Sequence, residues 1–451
     1  MRQVENTIVS IEQGKLSGCT KQDINGRPFQ CFYGIPYAEP PIGELRFKSP
    51  EPALPWNDDI LDCTKVKSFS KRRFYPGNFY GSEDDCLYLN IYTPQISSDP
   101  TNEKYPVMFW IPGYPFIYEM GSLEFYGPEF LVAKKVVLIT INYRHGFLGF
   151  LKLNDPLLNV TGNAGLKDQV EALRWVKKNI EAFGGDSNKI TIFGQGFGAA
   201  YVHLHMLSSM SRKLFHRAIM QSGSALCPWC FGGLRLDYDL VKALACEADN
   251  DEGVLDFLQD QSVDSILTNQ SRLINCQEEL MAGELNAITP VVEVPNDNAF
   301  ISEQPEELIA TNKAARIPIL IGYNSHEGLL PFTFSAKTRL TPDFNDNRQL
   351  IPRDLQDTLE TDELSFEVGN KIKEFYYDKE TPSFDNLDRF IQFYTDEMFG
   401  YKILSTARAH AQSKNQVYTY IWSLDTILNA IRDNIRYKYK GVHHGDELGY
   451  L

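Results

Sequence analysis

Along the first ninety positions, polar and apolar residues keep changing places. Thr7–Glu12, Phe29–Ile35 and Leu87–Tyr92 alternate or are rich in β-branched and aromatic residues, the mark of half-buried strands. Further on, the rhythm becomes one of short apolar runs: Val107–Ile111, Val136–Asn142, Ile190–Phe193, Ala218–Gln221, Ile317–Gly322 and Val417–Trp422. Parallel strands covered on both faces have this pattern. Helical patterns lie between several of them. The clearest sets Leu166, Val170, Leu173, Val176 and Ile180 at spacings of three and four, which gives one apolar stripe. Phe183-Gly184-Gly185 should end that helix, because glycine accepts the left-handed position at a helix C-terminus. Strands alternating with helices predict an α/β fold, with a mostly parallel central sheet, helices on both faces and a β-rich N-terminal part. Residues 230–315 and 355–412 read as helical excursions, the first of them acidic. No repeat or low-complexity linker divides the chain, so 1–451 is expected to form one domain.

Composition narrows the field of functions. The net charge of −15 and pI near 5.1 disfavour nucleic acid and acidic membranes, whose phosphates would be repelled. With 43% apolar and 23% charged residues, wholesale disorder is excluded. No window approaches the ~18 apolar residues of a membrane helix. Met1–Asn6 runs into a strand without the apolar stretch of ~7–15 residues that marks a leader. A cytoplasmic location without a membrane span is therefore expected. The eight cysteines are too sparse for a disulfide scaffold. Cys227-Pro228-Trp229-Cys230 is a CxxC without a second ligand pair nearby, and reads as structural rather than as a zinc or redox site. His203 and His205, two apart on a helix, point to different faces and read as no metal site. No metal or cofactor is expected.

One segment carries chemistry. In Ile190-Thr191-Ile192-Phe193-Gly194-Gln195-Gly196-Phe197-Gly198-Ala199-Ala200 an apolar strand meets a glycine-bearing turn and then a helix. That is the setting of the G-x-S-x-G nucleophile elbow, whose central residue projects above the sheet from a strained turn. Here the central residue is Gly196, which has no side chain to attack with and no steric objection to positive φ. The spacing is not G-x-G-x-x-G, and no Lys-Ser/Thr follows, so a nucleotide loop does not fit.

Ordered blocks along nearly the whole chain carry a resemblance. They are Phe32-Tyr33-Gly34-Ile35-Pro36-Tyr37-Ala38, Pro41-Ile42-Gly43-Glu44-Leu45-Arg46-Phe47, Cys86-Leu87-Tyr88-Leu89-Asn90 after an acidic cluster, Gly162-Asn163-Ala164-Gly165-Leu166-Lys167-Asp168-Gln169, and Phe215-His216-Arg217-Ala218-Ile219-Met220-Gln221-Ser222-Gly223. With them the chain resembles the type-B carboxylesterases of the cholinesterase family, within the α/β-hydrolase fold, and most of all the insect α-esterases. The resemblance implies a triad in the order Ser, Glu, His. Its acid falls at Glu327 in Gly322-Tyr323-Asn324-Ser325-His326-Glu327-Gly328, and its base at His444 in Gly441-Val442-His443-His444-Gly445-Asp446-Glu447-Leu448. His326 and His443 beside them read as structural. The nucleophile position is Gly196. The family's H-G-G-G-F oxyanion-hole segment falls on Trp110-Ile111-Pro112-Gly113-Tyr114-Pro115-Phe116. Its donor positions become Tyr114 and Pro115, and proline has no N–H to donate. The third donor would be the N–H of Phe197. Ser222 and Ser224 follow a strand rather than an elbow and do not read as replacement nucleophiles.

Lesions at two separate places predict a non-catalytic relative, one that binds a small apolar ester-like ligand or a protein partner. Three alternatives stand beside it: residual ester hydrolysis with His444 activating water, an adhesion role like that of the neuroligin-type members, and the product of a decaying gene. Full-length relatives of the resembled family continue past the His444 motif with a helical segment. The end at Leu451 is therefore expected to be either that of a fragment or a third departure from a working esterase, a shortening that would expose apolar surface.

Overall fold

The computed structural model of the chain describes residues 7–56, 59–67, 72–73, 79–80, 85–96, 103–113, 127–233, 235–273, 288–332, 346–356, 358–378, 380, 386–430 and 439–451. Among these, thirteen strands occur: β1 (Thr7–Ile11), β2 (Gly14–Gln22), β3 (Pro28–Pro36), β4 (Ile60–Asp62), β5 (Arg72–Arg73), β6 (Phe79–Tyr80), β7 (Tyr88–Thr93), β8 (Tyr105–Ile111), β9 (Val137–Ile141), β10 (Gly185–Gln195), β11 (Arg217–Gln221), β12 (Ile319–Asn324) and β13 (Val417–Trp422). Eleven of them form one sheet in the order β1-β2-β3-β7-β9-β8-β10-β11-β12-β13, with β4 beside β2. The N-terminal pairings β1–β2, β2–β3, β3–β7 and β7–β9 are antiparallel. From β9 through β13 every pairing is parallel. The fold is that of the α/β-hydrolases, and each apolar run named from the sequence forms a strand.

The striped helix spans Ala164–Asn179 and continues as a 3-10 turn, Ile180–Phe183. Leu166, Val170, Leu173, Val176 and Ile180 are all buried. Gly184 then takes φ 81° and closes the element, as a left-handed C-terminal residue does. The start of this helix also buries charges. Asp168 holds Arg144 through Nε–Oδ2 (2.8 Å) and Nη2–Oδ1 (2.6 Å). Lys167 Nζ lies 2.8 Å from Glu293 Oε2. Residues this polar are interior only when paired.

Among the described residues of the 230–315 region the helices are Asp237–Ala243, Asp251–Asp260, Val263–Leu273 and Pro305–Ala310. Between 288 and 304 the chain is irregular. Within 355–412 the main helices are Asp362–Tyr377, Leu387–Thr395 and Tyr401–Gln412. Nothing among the described residues pairs with the outer edge of β13, and Tyr418, Ile421, Leu424, Ile427 and Leu428 are exposed along and beyond it. No helix among the described residues is long and apolar enough to cross a membrane.

Candidate functional site

The elbow is built by close packing of backbone. β10 ends at Gln195, Gly196 follows, and the helix Phe197–Leu207 begins at once. A Cβ on Gly198 would lie 2.2 Å from the Ile111 carbonyl oxygen, and one on Gly194 would lie 2.5 Å from the Gly198 carbonyl carbon. Gly113 is equally tight, with its Cβ position 2.6 Å from the Gln195 oxygen. These glycines let the end of β8, the turn and the helix touch without side chains between them. Gly196 has φ 59° and ψ −122°. Its N–H donates to the Gln221 carbonyl at 2.8 Å, and its own carbonyl accepts from Ala200 N–H at 3.1 Å. The strained turn thus persists at a residue for which it costs little.

Glu327 and His444 meet above this turn. Glu327 opens a 3-10 segment directly after β12. Its Oε1 accepts from Asn324 N–H at 2.8 Å, and its Oε2 stands 2.5 Å from His444 Nδ1. Both side chains are buried. A carboxylate at Nδ1 keeps the proton there and leaves Nε2 as the acceptor. That Nε2 lies 2.9 Å from the place where a Cβ on Gly196 would be. Sequence separations of 131 and 117 residues (327 − 196 and 444 − 327) are closed at one point, and the basic nitrogen is aimed at an atom that glycine does not have.

An aromatic run leads away from the dyad. Phe399 packs on the His444 ring with centroids 5.0 Å apart, Trp229 on Phe399 at 5.5 Å, and Phe197 on Trp229 at 4.8 Å. Trp229 Nε1 donates to the Met398 carbonyl at 2.8 Å. Met398 and Phe399 sit on a π-helical turn, Asp396–Gly400, a distortion frequent at functional sites. Trp229 is the middle of the CxxC. Cys227 and Cys230 are buried and free, and burial pushes the Cys227 thiol up to about 12. Neither has the low pKa of a redox thiol.

The other candidates separate as follows. His203 Nε2 lies 2.8 Å from His410 Nε2, and His205 Nε2 lies 2.8 Å from Gln169 Oε1, so the two histidines do turn to different partners. His443 is buried with Nδ1 3.0 Å from the His444 carbonyl, and His326 Nδ1 lies 2.8 Å from Ser325 Oγ. Ser224 Oγ accepts from Thr406 Oγ1 at 2.9 Å. Tyr114 and Pro115 lie outside the described residues, as do Glu83 and Asp84 of the acidic cluster before Cys86. Arg46 Nη1 donates to the carbonyls of Gln259 and Gln261. No group of three or more metal-ligating side chains occurs among the described residues.

Glu447 was not singled out from the sequence, although it stands three residues past His444. It is buried, accepts from Gln221 Nε2 at 3.3 Å and is also bonded to Asn324 Nδ2. Burial, and after it the neighbouring Glu327 charge, raise its carboxyl to about 7. A carboxyl with a folded pKa above its unfolded one favours the fold when protonated. That contribution is full below the unfolded pKa, ~4.3, and is lost as pH rises through about 7. Glu447→Gln, which mimics the protonated acid, should therefore melt progressively higher than the parent chain between pH 5 and pH 8. Thermal melts of both chains across that range check it; a difference that stays flat or falls with pH would refute it.

A model of the carboxylesterase family matches residues 5–451. The chain is 33% identical over 461 residues to esterase E4 of Myzus persicae, an alignment covering 98% of this chain and 80% of that protein. It is 32% identical over 474 residues to a juvenile hormone esterase of Tribolium castaneum, covering 98% and 78%. Among solved structures it resembles the juvenile hormone esterase of Manduca sexta with OTFP covalently attached. That match has a TM-score of 0.85 and 28% identity, over 99% of this chain and 84% of the other.

Proposed function

The chain belongs to the carboxylesterase family, and we propose that within it this protein binds a small apolar ester-like ligand without hydrolysing it. One observation carries the reading: the Glu327–His444 dyad faces Gly196, which has no side chain. In a serine esterase the imidazole takes the hydroxyl proton as the acyl-enzyme forms. Without a hydroxyl at the elbow that covalent step has no nucleophile, a loss on the order of 10⁶ in rate. The proline and tyrosine at the expected donor positions 115 and 114 support the same reading. The run Phe197, Trp229 and Phe399 sets buried aromatic side chains beside the dyad, a setting that suits an apolar ligand better than a polar one. Since two of the similar proteins are named juvenile hormone esterases, apolar esters of that kind are the first to try.

The intact dyad favours one second reading, slow hydrolysis by water that His444 activates. The two readings part in a single experiment. The purified chain is given 1-naphthyl acetate beside a His444→Ala control, and is melted with a panel of apolar esters. Turnover equal to the control, with melting temperatures raised by binding, is the expected result. Turnover above the control, or a phosphorylated serine after organophosphate treatment, would establish catalysis instead. Uniformly unshifted melts would point to a protein partner or to no ligand.

A further inference from the structure

Two cysteines that the site does not use face each other across the N-terminal hairpin. Cys19 on β2 and Cys31 on β3 are direct partners in the antiparallel register, which runs without a shift from Cys19–Cys31 to Gln22–Pro28. At the head of the hairpin Asp23 N–H donates to the Arg27 carbonyl at 2.9 Å. Counting back by twos, Lys21–Phe29 and Cys19–Cys31 are hydrogen-bonded pairs, with Cα atoms about 5.5 Å apart. Disulfides span ~4.4–6.8 Å between Cα atoms. The Cys19 thiol itself donates to the Thr64 carbonyl, with Sγ–O 3.9 Å. The two differ in access: Cys31 is fully buried under Phe29, Tyr33 and Tyr92, while Cys19 is half-buried at the margin of that cluster. Burial raises the Cys19 thiol above its ordinary value, and Lys21, two residues on and on the same face of β2, offsets part of that rise.

We propose that Cys19 and Cys31 form a reversible cross-strand disulfide, with Cys19 as the entry thiol and Cys31 as the resolving one. With a low-molecular-weight disulfide such as oxidised glutathione as oxidant, the Cys19 thiolate attacks one of its sulfurs and expels one glutathione thiolate. The Cys31 thiol gives its proton to that thiolate. The Cys31 sulfur then attacks the Cys19 sulfur and expels the second glutathione thiolate. Two protein thiols and one glutathione disulfide become one protein disulfide and two glutathione thiols. Opposed Cβ atoms in a sheet stand about 4.5–5.5 Å apart, against about 3.5–4.5 Å in a disulfide. Closing that gap strains the bond, and strained disulfides are the readily reduced ones. The bond would tie β2, and through it β1 and β4, to the rest of the sheet at β3, and would release them on reduction.

The test uses the full chain, folded and incubated with oxidised glutathione at mildly alkaline pH. It is then alkylated and cut with trypsin under non-reducing conditions. Cleavage after Lys15, Lys21 and Arg46, with Arg27–Pro28 resistant, gives peptides 16–21 and 22–46. The expected product is these two peptides joined, two hydrogens lighter than their sum, and lost on adding dithiothreitol. Cys31→Ser should instead accumulate a glutathione adduct at Cys19, and Cys19→Ser should leave Cys31 unmodified. A parent chain that stops at the Cys19 adduct, remains alkylated at both positions, or joins Cys19 to another cysteine would overturn the proposal. These readouts on the parent chain need neither variant to fold.

Discussion

Gly196→Ser is expected to restore little ester hydrolysis by itself, whereas Gly196→Ser with Tyr114→Gly and Pro115→Gly should be about 10²–10³-fold more active than that single variant. His444 and Glu327 are already paired, with Nδ1 at 2.5 Å from the carboxylate, so on the proposed reading the serine would meet a proton acceptor in place. Its Cβ would begin 2.9 Å from His444 Nε2, and the ring must retreat by a few tenths of an ångström. Serine at φ 59° also adds strain of about 1–3 kcal/mol, so the single variant should melt lower than the parent. What it would still lack is charge stabilisation. A tetrahedral oxyanion needs preorganised N–H donors, and proline at 115 supplies none. The value of kcat/KM with 1-naphthyl acetate, measured for the parent, the single and the triple variant, decides the matter. High activity in the single variant would show that residues 114 and 115 are not the donor positions. A folded but inactive triple variant would show that the dyad is not competent.

The largest stability effect is expected at Asp168. Asp168→Ala should lower the unfolding free energy by about 3–5 kcal/mol, because it leaves the Arg144 guanidinium buried without its counter-charge. Asp168 accepts from Arg144 Nε, Nη2 and backbone N–H, and the two side chains are 0% and 3% exposed. The magnitude reflects the stranded charge rather than the net worth of the pair. Replacing both partners by apolar residues should therefore cost much less than removing one. Urea unfolding of Asp168→Ala and of an Arg144→Met/Asp168→Leu double variant measures both. A loss below about 1 kcal/mol in the single variant would contradict the account.

Much of this architecture was legible because buried parallel strands announce themselves. Val107–Ile111, Ile190–Phe193 and Ala218–Gln221 are apolar on both faces, and each forms a strand of the sheet. β2 was missed because Gly14–Gln22 alternates small and polar residues with only Leu16 and Gly18 buried, so no apolar period marks it. The dyad was legible through motif context, since Glu327 and His444 each sit in a distinctive block. Phe399 and Glu447 were not. Their roles come from packing across elements far apart in sequence, Phe399 from a π-turn and Glu447 from beside Asn324 and Gln221. The helical reading of 230–315 does not hold over 288–304, where several backbone groups bond instead to partners far along the chain. Asn163 illustrates this by accepting from Val291 N–H and donating to its carbonyl.

That no described residue pairs with the outer side of β13 has a bearing on how solutions of this protein behave. An edge strand with free backbone groups and protruding apolar side chains is a template on which another chain can add. The net charge of −15 opposes such addition, and that repulsion reaches only about 10 Å at 0.1 M salt and about 3 Å at 1 M. Colloidal stability therefore rests on dilute buffer well above the isoelectric point. Salt or mild acid removes the repulsion while leaving Tyr418, Ile421 and Ile427 as sticky as before, so precipitation under those conditions would begin at this edge rather than with unfolding.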